Sequence, residues 1–120
     1  MSYSLPQASI GFMAGSGGTV TQLTSKATGV TLNKACGQIV THNASLAAGA
    51  TVAFVLLNST ISATDMVLVT RASGGTDLAY FVGVDKVGAG FCNIYLQNLS
   101  GGALAEAVTL TFVVIKAVTS

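Results

Sequence analysis

From Val108 to Ile115 the chain alternates: Val108, Leu110, Phe112 and Val114 on one side, Thr109, Thr111, Val113 and Ile115 on the other. A period of two belongs to extended backbone, where successive side chains leave on opposite faces; a helix would space its apolar positions three or four apart. The same period sets Val52, Phe54 and Leu56 against Thr51, Ala53 and Val55, and Cys92, Ile94 and Leu96 against Asn93, Tyr95 and Gln97. β-Branched and aromatic residues dominate all three runs, as suits a pleated surface packed on one side. These runs are predicted strands, and whatever the chain folds into must stack their apolar faces together.

Shorter runs extend the series. "TVTQ" at 19–22, "GVTL" at 29–32, "GQIVTH" at 37–42, "DMVLVTR" at 65–71 and "LAYFVGVDKV" at 78–87 bring the expected total to about eight strands. "SGGT" at 73–76 and "VGAG" at 87–90 supply the glycines that tight hairpins require. No stretch of a dozen residues carries a helical stripe, although "HNASLAAGA" has room for a single turn before Gly49. Many short strands without intervening helices predict an all-β fold: an antiparallel β-sandwich, jelly-roll-like, with an N-terminal arm at 1–16 and the sandwich domain at 17–120.

The outer surface of such a sandwich must be unusual, because only 8% of the 120 residues are charged, against roughly 25% in an average soluble domain, while 51% are hydrophobic. The longest unbroken apolar run, Val52 to Leu57, is far below the about 20 residues of a membrane-spanning helix. "MSYSLPQASIGFMAGSGG" lacks the basic start and continuous apolar stretch of a secretory leader, so export by that route is not expected. Cys36 and Cys92 are therefore expected as reduced thiols. A net charge of +1, spread singly along the chain, offers no footprint for a phosphate backbone. The surplus apolar surface points to other protein, as in permanent assemblies.

Chemistry is sparse. His42 is the single histidine and stands in "IVTHNAS" without a nucleophile motif; Cys36, six residues earlier, is a conceivable thiol partner, given an electropositive setting. Two cysteines and one histidine fall short of a four-ligand zinc site. Asp65, Asp77, Asp85 and Glu106 would have to supply any glycosidase pair, and each has a plainer reading at a turn, a strand end or a loop. "GSGGT" at 15–19 lacks the Gly-Lys-Ser/Thr of a phosphate loop and reads as a flexible joint between arm and domain. No enzyme activity, cofactor, metal or small-molecule substrate is expected.

The run "GGTVTQLTSKATGVTLN", followed by "GQIVTHNASLAAGATVAFVLLNSTISATDMVLV" and "GFCNIYLQNLSGGALAEAVTLTFVVIKAV", resembles small structural proteins of tailed bacteriophages. The resemblance covers residues 17–118 and rests on the Gly-Thr-Val-Thr-Gln opening, the "LAAGA" turn, and the "NSTISATD" and "NLSGG" loops. It implies a virion component: a capsid decoration or cement protein on the outer surface of the head, bound to the major capsid protein and to itself as a homotrimer, without nucleic acid or membrane. The alternative it implies is a receptor-binding tip or module of a tail or head fibre. Because the pattern fills nearly the whole chain, with no shaft beside it, decoration is the favoured expectation. In the arm, Tyr3, Leu5, Ile10, Phe12 and Met13 are the candidate contacts to a partner, since they are apolar, uncharged and without alternation; the alternative is that Tyr3, Phe12 and Met13 cover the bottom of their own sandwich.

Overall fold

A computed structural model describes residues 12–119. Among the described residues eight strands form two four-stranded sheets around one core: β1 (Gly17–Thr21), β2 (Val30–Thr31), β3 (Cys36–Val40), β4 (Thr51–Leu57), β5 (Met66–Ser73), β6 (Tyr80–Gly88), β7 (Phe91–Asn98) and β8 (Thr109–Ile115). The orders β1-β3-β8-β5 and β2-β4-β7-β6 run in step, so each odd strand and its successor belong to opposite sheets, except that β7 and β8 reverse the direction. Every expected run became a strand. The sheets are mixed rather than wholly antiparallel, because β1 pairs parallel with β3 and β2 parallel with β4.

Pairing fixes where the loops lie. Strands β1, β3 and β5 run one way and β8 the other, while β2, β4 and β6 oppose β7. All four crossings between sheets within the pairs β1–β2, β3–β4, β5–β6 and β7–β8 therefore gather at one end, here termed the apex. The remaining connections and the approach to β1 lie at the opposite end, the foot. One expectation is corrected by this path. "SGGT" is not a hairpin within one sheet but part of the crossing from β5 to β6; its Gly74 and Gly75 adopt left-handed φ of 73° each, which lets the chain leave one sheet for the other. "HNASLAAGA" forms no helix: it turns once at Ala47–Ala50, with the Ala50 N–H donating to the Ala47 carbonyl at 3.0 Å, and bridges Leu46 to Leu104 across the apex. The "VGAG" hairpin forms between β6 and β7 as expected.

Gly17 and Gly18 are likewise not a joint. They open β1, pairing with Cys36 and Gly37, and a Cβ on Gly37 would stand 2.5 Å from the Gly18 carbonyl oxygen and 2.9 Å from Leu32. The two strands approach through glycine backbone at this point, which local sequence reads as flexibility.

The two central strands carry the core. Cys92, Ile94 and Leu96 of β7 and Leu110, Phe112 and Val114 of β8 are all buried, joined by Ile39, Phe54, Leu56, Val67 and Val108. Their alternation is the reason the sheets face each other rather than slipping: a one-residue shift of either strand would turn its whole apolar set outward. Burial pushes the Cys92 thiol up to about 11, so it stays protonated and acts as a small hydrophobe. Replacing Phe112, 1% exposed, by alanine is expected to lower stability by about 3–5 kcal/mol in urea unfolding. Phe81→Ala, on the outer face of β6, should cost less than about 1 kcal/mol by the same measurement.

Candidate functional site

The apex is held by one buried cation. Lys26, in the β1–β2 crossing, is 4% exposed and donates from Nζ to the carbonyl of His42, in the β3–β4 crossing, and to that of Glu106 at 2.7 Å, in the β7–β8 crossing. Glu106 Oε1 in turn accepts the Thr76 N–H at 2.7 Å and the Tyr80 hydroxyl at 2.9 Å, reaching the β5–β6 crossing. One ammonium and one carboxylate thus tie all four crossings together. Gln22 completes the arrangement: its amide donates to the carbonyls of Lys26 and Thr28, and its Oε1 accepts the His42 N–H.

Electrostatics follow from burial. Desolvation lowers the Lys26 pKa, opposed by the nearby Glu106 charge. Glu106 is held below the usual carboxylate range by its hydrogen bonds from Thr76 and Tyr80, and the Tyr80 hydroxyl is pushed up to about 12, first by burial and then by Glu106. These shifts come from groups bound to one another within the fold. They describe a brace.

The β5–β6 crossing is clamped a second time. Arg71 donates through Nε to the Gly74 carbonyl, through Nη2 to that of Gly75, and pairs with Asp77 at 2.8 Å. Just beyond, Leu78 takes a left-handed φ of 64° and stands 96% exposed. Asn98, fully buried at the end of β7, donates to the carbonyls of Leu46 and Gly102 and accepts from Ser100. At the foot, Asn58 does the same work at the end of β4, donating to Lys34 and accepting from Thr60. Among the described residues no buried side-chain polar atom lacks a partner.

Of the residues singled out from sequence, Asp77 and Glu106 come together at the apex around Thr76, while Asp65 and Cys36 lie at the foot and Asp85 at the β6 bulge. Cys36 opens β3 at the foot and His42 lies past its other end, six residues or about 20 Å along extended chain, so they are not a pair. Cys36 and Cys92 are both free thiols. Asp65 is engaged by Lys116 and the Ser62 N–H at the foot, Asp77 by Arg71, and Glu106 by Thr76 and Tyr80; Asp85 is exposed at the bulge of β6. No group of three or more histidine, cysteine or acidic side chains is placed to hold a metal among the described residues. Of the arm contacts, Phe12 and Met13 are exposed, while Tyr3, Leu5 and Ile10 lie outside the described residues. Sequence reasoning passed over Gln22, Lys26 and the two asparagines; the available signal was an asparagine closing an alternating run with Ser or Thr two residues later, the pattern of an Asx turn.

The outer faces of both sheets form the other candidate surface. Within strands the charges are Arg71, which turns to its own loop, and Asp85 and Lys86 at the β6 bulge. One face presents Met66, Leu68 and Ile115 beside Val113 and Cys36, bordered by Thr19, Gln38, Thr70 and Thr111. The other presents Val55, Leu57, Phe81 and Tyr95, with the Phe81 and Tyr95 rings 5.9 Å apart and Tyr95 leaning over Gly83. Comparison with known proteins returned no match to a family model, a curated protein or a solved structure.

Two outcomes follow for the apex brace. Lys26→Ala leaves two carbonyls without a donor and should cost about 2–4 kcal/mol in urea unfolding, whereas Lys86→Ala, at the exposed bulge, should change stability by less than about 0.5 kcal/mol. Glu106 and Asp65 both have pKa values lowered by folding, so their stabilisation is complete above the unfolded value of about 4 and is lost as pH falls through the folded value. Urea midpoints should therefore fall on acidification from about pH 5 to 2, with a shallower fall in Glu106→Gln than in the native chain.

Proposed function

We propose that the protein is a non-enzymatic structural component of a tailed-phage virion, a decoration protein that binds the outside of the assembled head and stabilises it. The observation that carries the reading is the near absence of charge from two outer sheet faces that expose Val55, Leu57, Phe81, Met66, Leu68 and Ile115. A protein at high local concentration with such faces is suited to permanent contact with its own kind. A stable interface buries roughly 800 Å² on each partner, which a four-stranded face can supply. The sequence resemblance to phage structural proteins supplies the setting.

In this reading the faces join copies into a homotrimer and the major capsid protein is the external partner. Binding only to the assembled shell favours that state by mass action, and repeated attachment strengthens it without any chemistry. Of the four acidic side chains, Asp65 and Glu106 are engaged within the fold and Asp77 pairs with Arg71 at the surface, which agrees with a role in contact rather than turnover.

Heads assembled without the protein should release their genome at lower temperature than complete heads, measured by dye access during heating; identical release profiles would end the stabilising role. In sedimentation equilibrium the native chain should be trimeric, and Leu68→Glu combined with Phe81→Glu should shift it toward monomer while leaving the circular dichroism spectrum unchanged.

A further inference from the structure

Two residues other than glycine adopt left-handed backbone among those described, Thr24 at φ 70° and Leu78 at φ 64°. Glycine fills the remaining left-handed positions, 15, 49, 74, 75 and 90. A β-branched threonine and a leucine are poor occupants of that region, where Cβ crowds the backbone and glycine or asparagine would be relaxed. Both exceptions lie in crossings at the same end of the sandwich. Thr24 is the centre of a three-residue turn, with the Ser25 N–H donating to the Leu23 carbonyl at 2.8 Å, and Leu23 beside it is 68% exposed. Leu78, 96% exposed, gains nothing from its own fold by being leucine.

Strain of this kind persists only where surrounding structure imposes it, and it collects at clamps and contact sites. The imposing structure here is the brace described above: Arg71 fixes Gly74, Gly75 and Asp77, Glu106 fixes Thr76, and the Ala79 carbonyl accepts the Leu99 N–H at 2.7 Å. Leu99, 56% exposed, is thereby set next to the Leu78 turn. Large apolar side chains on immobilised loops lose little freedom on docking, which is what an anchor needs.

We infer that the apex is a protein-docking end, with Leu78 and Leu99 on one side and Leu23 on the other as anchors that enter apolar pockets of a partner protein. The charge pattern selects protein over a phospholipid surface or nucleic acid. Arg71 is spent on Asp77 and two carbonyls, and Lys26 is buried, so the apex offers no free cation from these groups for phosphate. The pockets must be apolar, with a rim that accommodates the Arg71–Asp77 ion pair beside Leu78. Under the decoration reading, on which this partner rests, they belong to the assembled shell, and the sheet faces are left for contact between copies.

The test uses the full chain and heads assembled without it. Leu78→Asn should unfold at the native temperature or up to about 4–8 °C above it, because strain is relieved and no buried contact is lost, yet co-sediment with heads roughly tenfold or more weakly. Leu99→Ser should weaken binding in the same direction. Native-like binding by both Leu78→Asn and Leu78→Gly overturns the inference and leaves the decoration reading in place. Leucine-dependent sedimentation with phosphatidylcholine or phosphatidylglycerol vesicles overturns it in favour of lipid. A photo-reactive side chain introduced at position 78 separates the two claims. If the native chain does not bind heads but position 78 cross-links to another virion protein in intact particles, the decoration reading falls and the docking end stands. If it cross-links to no other protein there, or the particles carry none of this chain, the docking end falls.

Discussion

The ammonium of Lys26 is the point on which the apex of this sandwich depends. Four chain crossings meet there, and each brings backbone carbonyls and N–H groups that no sheet ladder can satisfy. A lysine buried among them would be expensive if it had no acceptors. It has the carbonyls of His42 and Glu106 as acceptors, and the Glu106 side chain passes the constraint on to Thr76 and Tyr80. The brace joins loops that are up to 80 residues apart in sequence. It ties the four crossings of the apex to one another.

The sheets themselves were readable. Alternation in β4, β7 and β8 placed the inward residues correctly, because a buried strand leaves a period that nothing else in the chain produces. The two parallel edge pairs were not, since direction depends on where a strand sits and not on what it contains. β2, with only Val30 and Thr31 paired, is held by the neighbour it finds on β4 rather than by its own sequence. Glycines misled in two places: at 17 and 18 they serve close approach of β1 to β3, and at 74 and 75 a change of sheet. The brace escaped notice for a different reason. Lys26, Gln22 and Glu106 sit in loops, where a lone polar residue is usually solvated, and only the spatial meeting of four crossings turns them into a network.

The distribution of polarity along the long axis connects structure to use. Charged groups are gathered at the two ends and at the bulge of β6, and most are occupied with the fold; the flanks are threonine, valine and aromatic rings. A molecule arranged this way has two kinds of contact to offer: broad neutral faces suited to copies of itself, and a stiff end bearing exposed leucines. Both are the contacts that the proposed role as a particle component would use. Among the described residues the buried polar side chains satisfy one another.

The claim that the chain is a head-stabilising component is tested most directly by counting its copies in purified particles by quantitative mass spectrometry against the major capsid protein. Decoration predicts copies on the order of hundreds per particle, as repeated attachment over a symmetric shell requires. A count of a few tens would place it on a fibre or tail tip instead, and its absence from particles would contradict the account altogether.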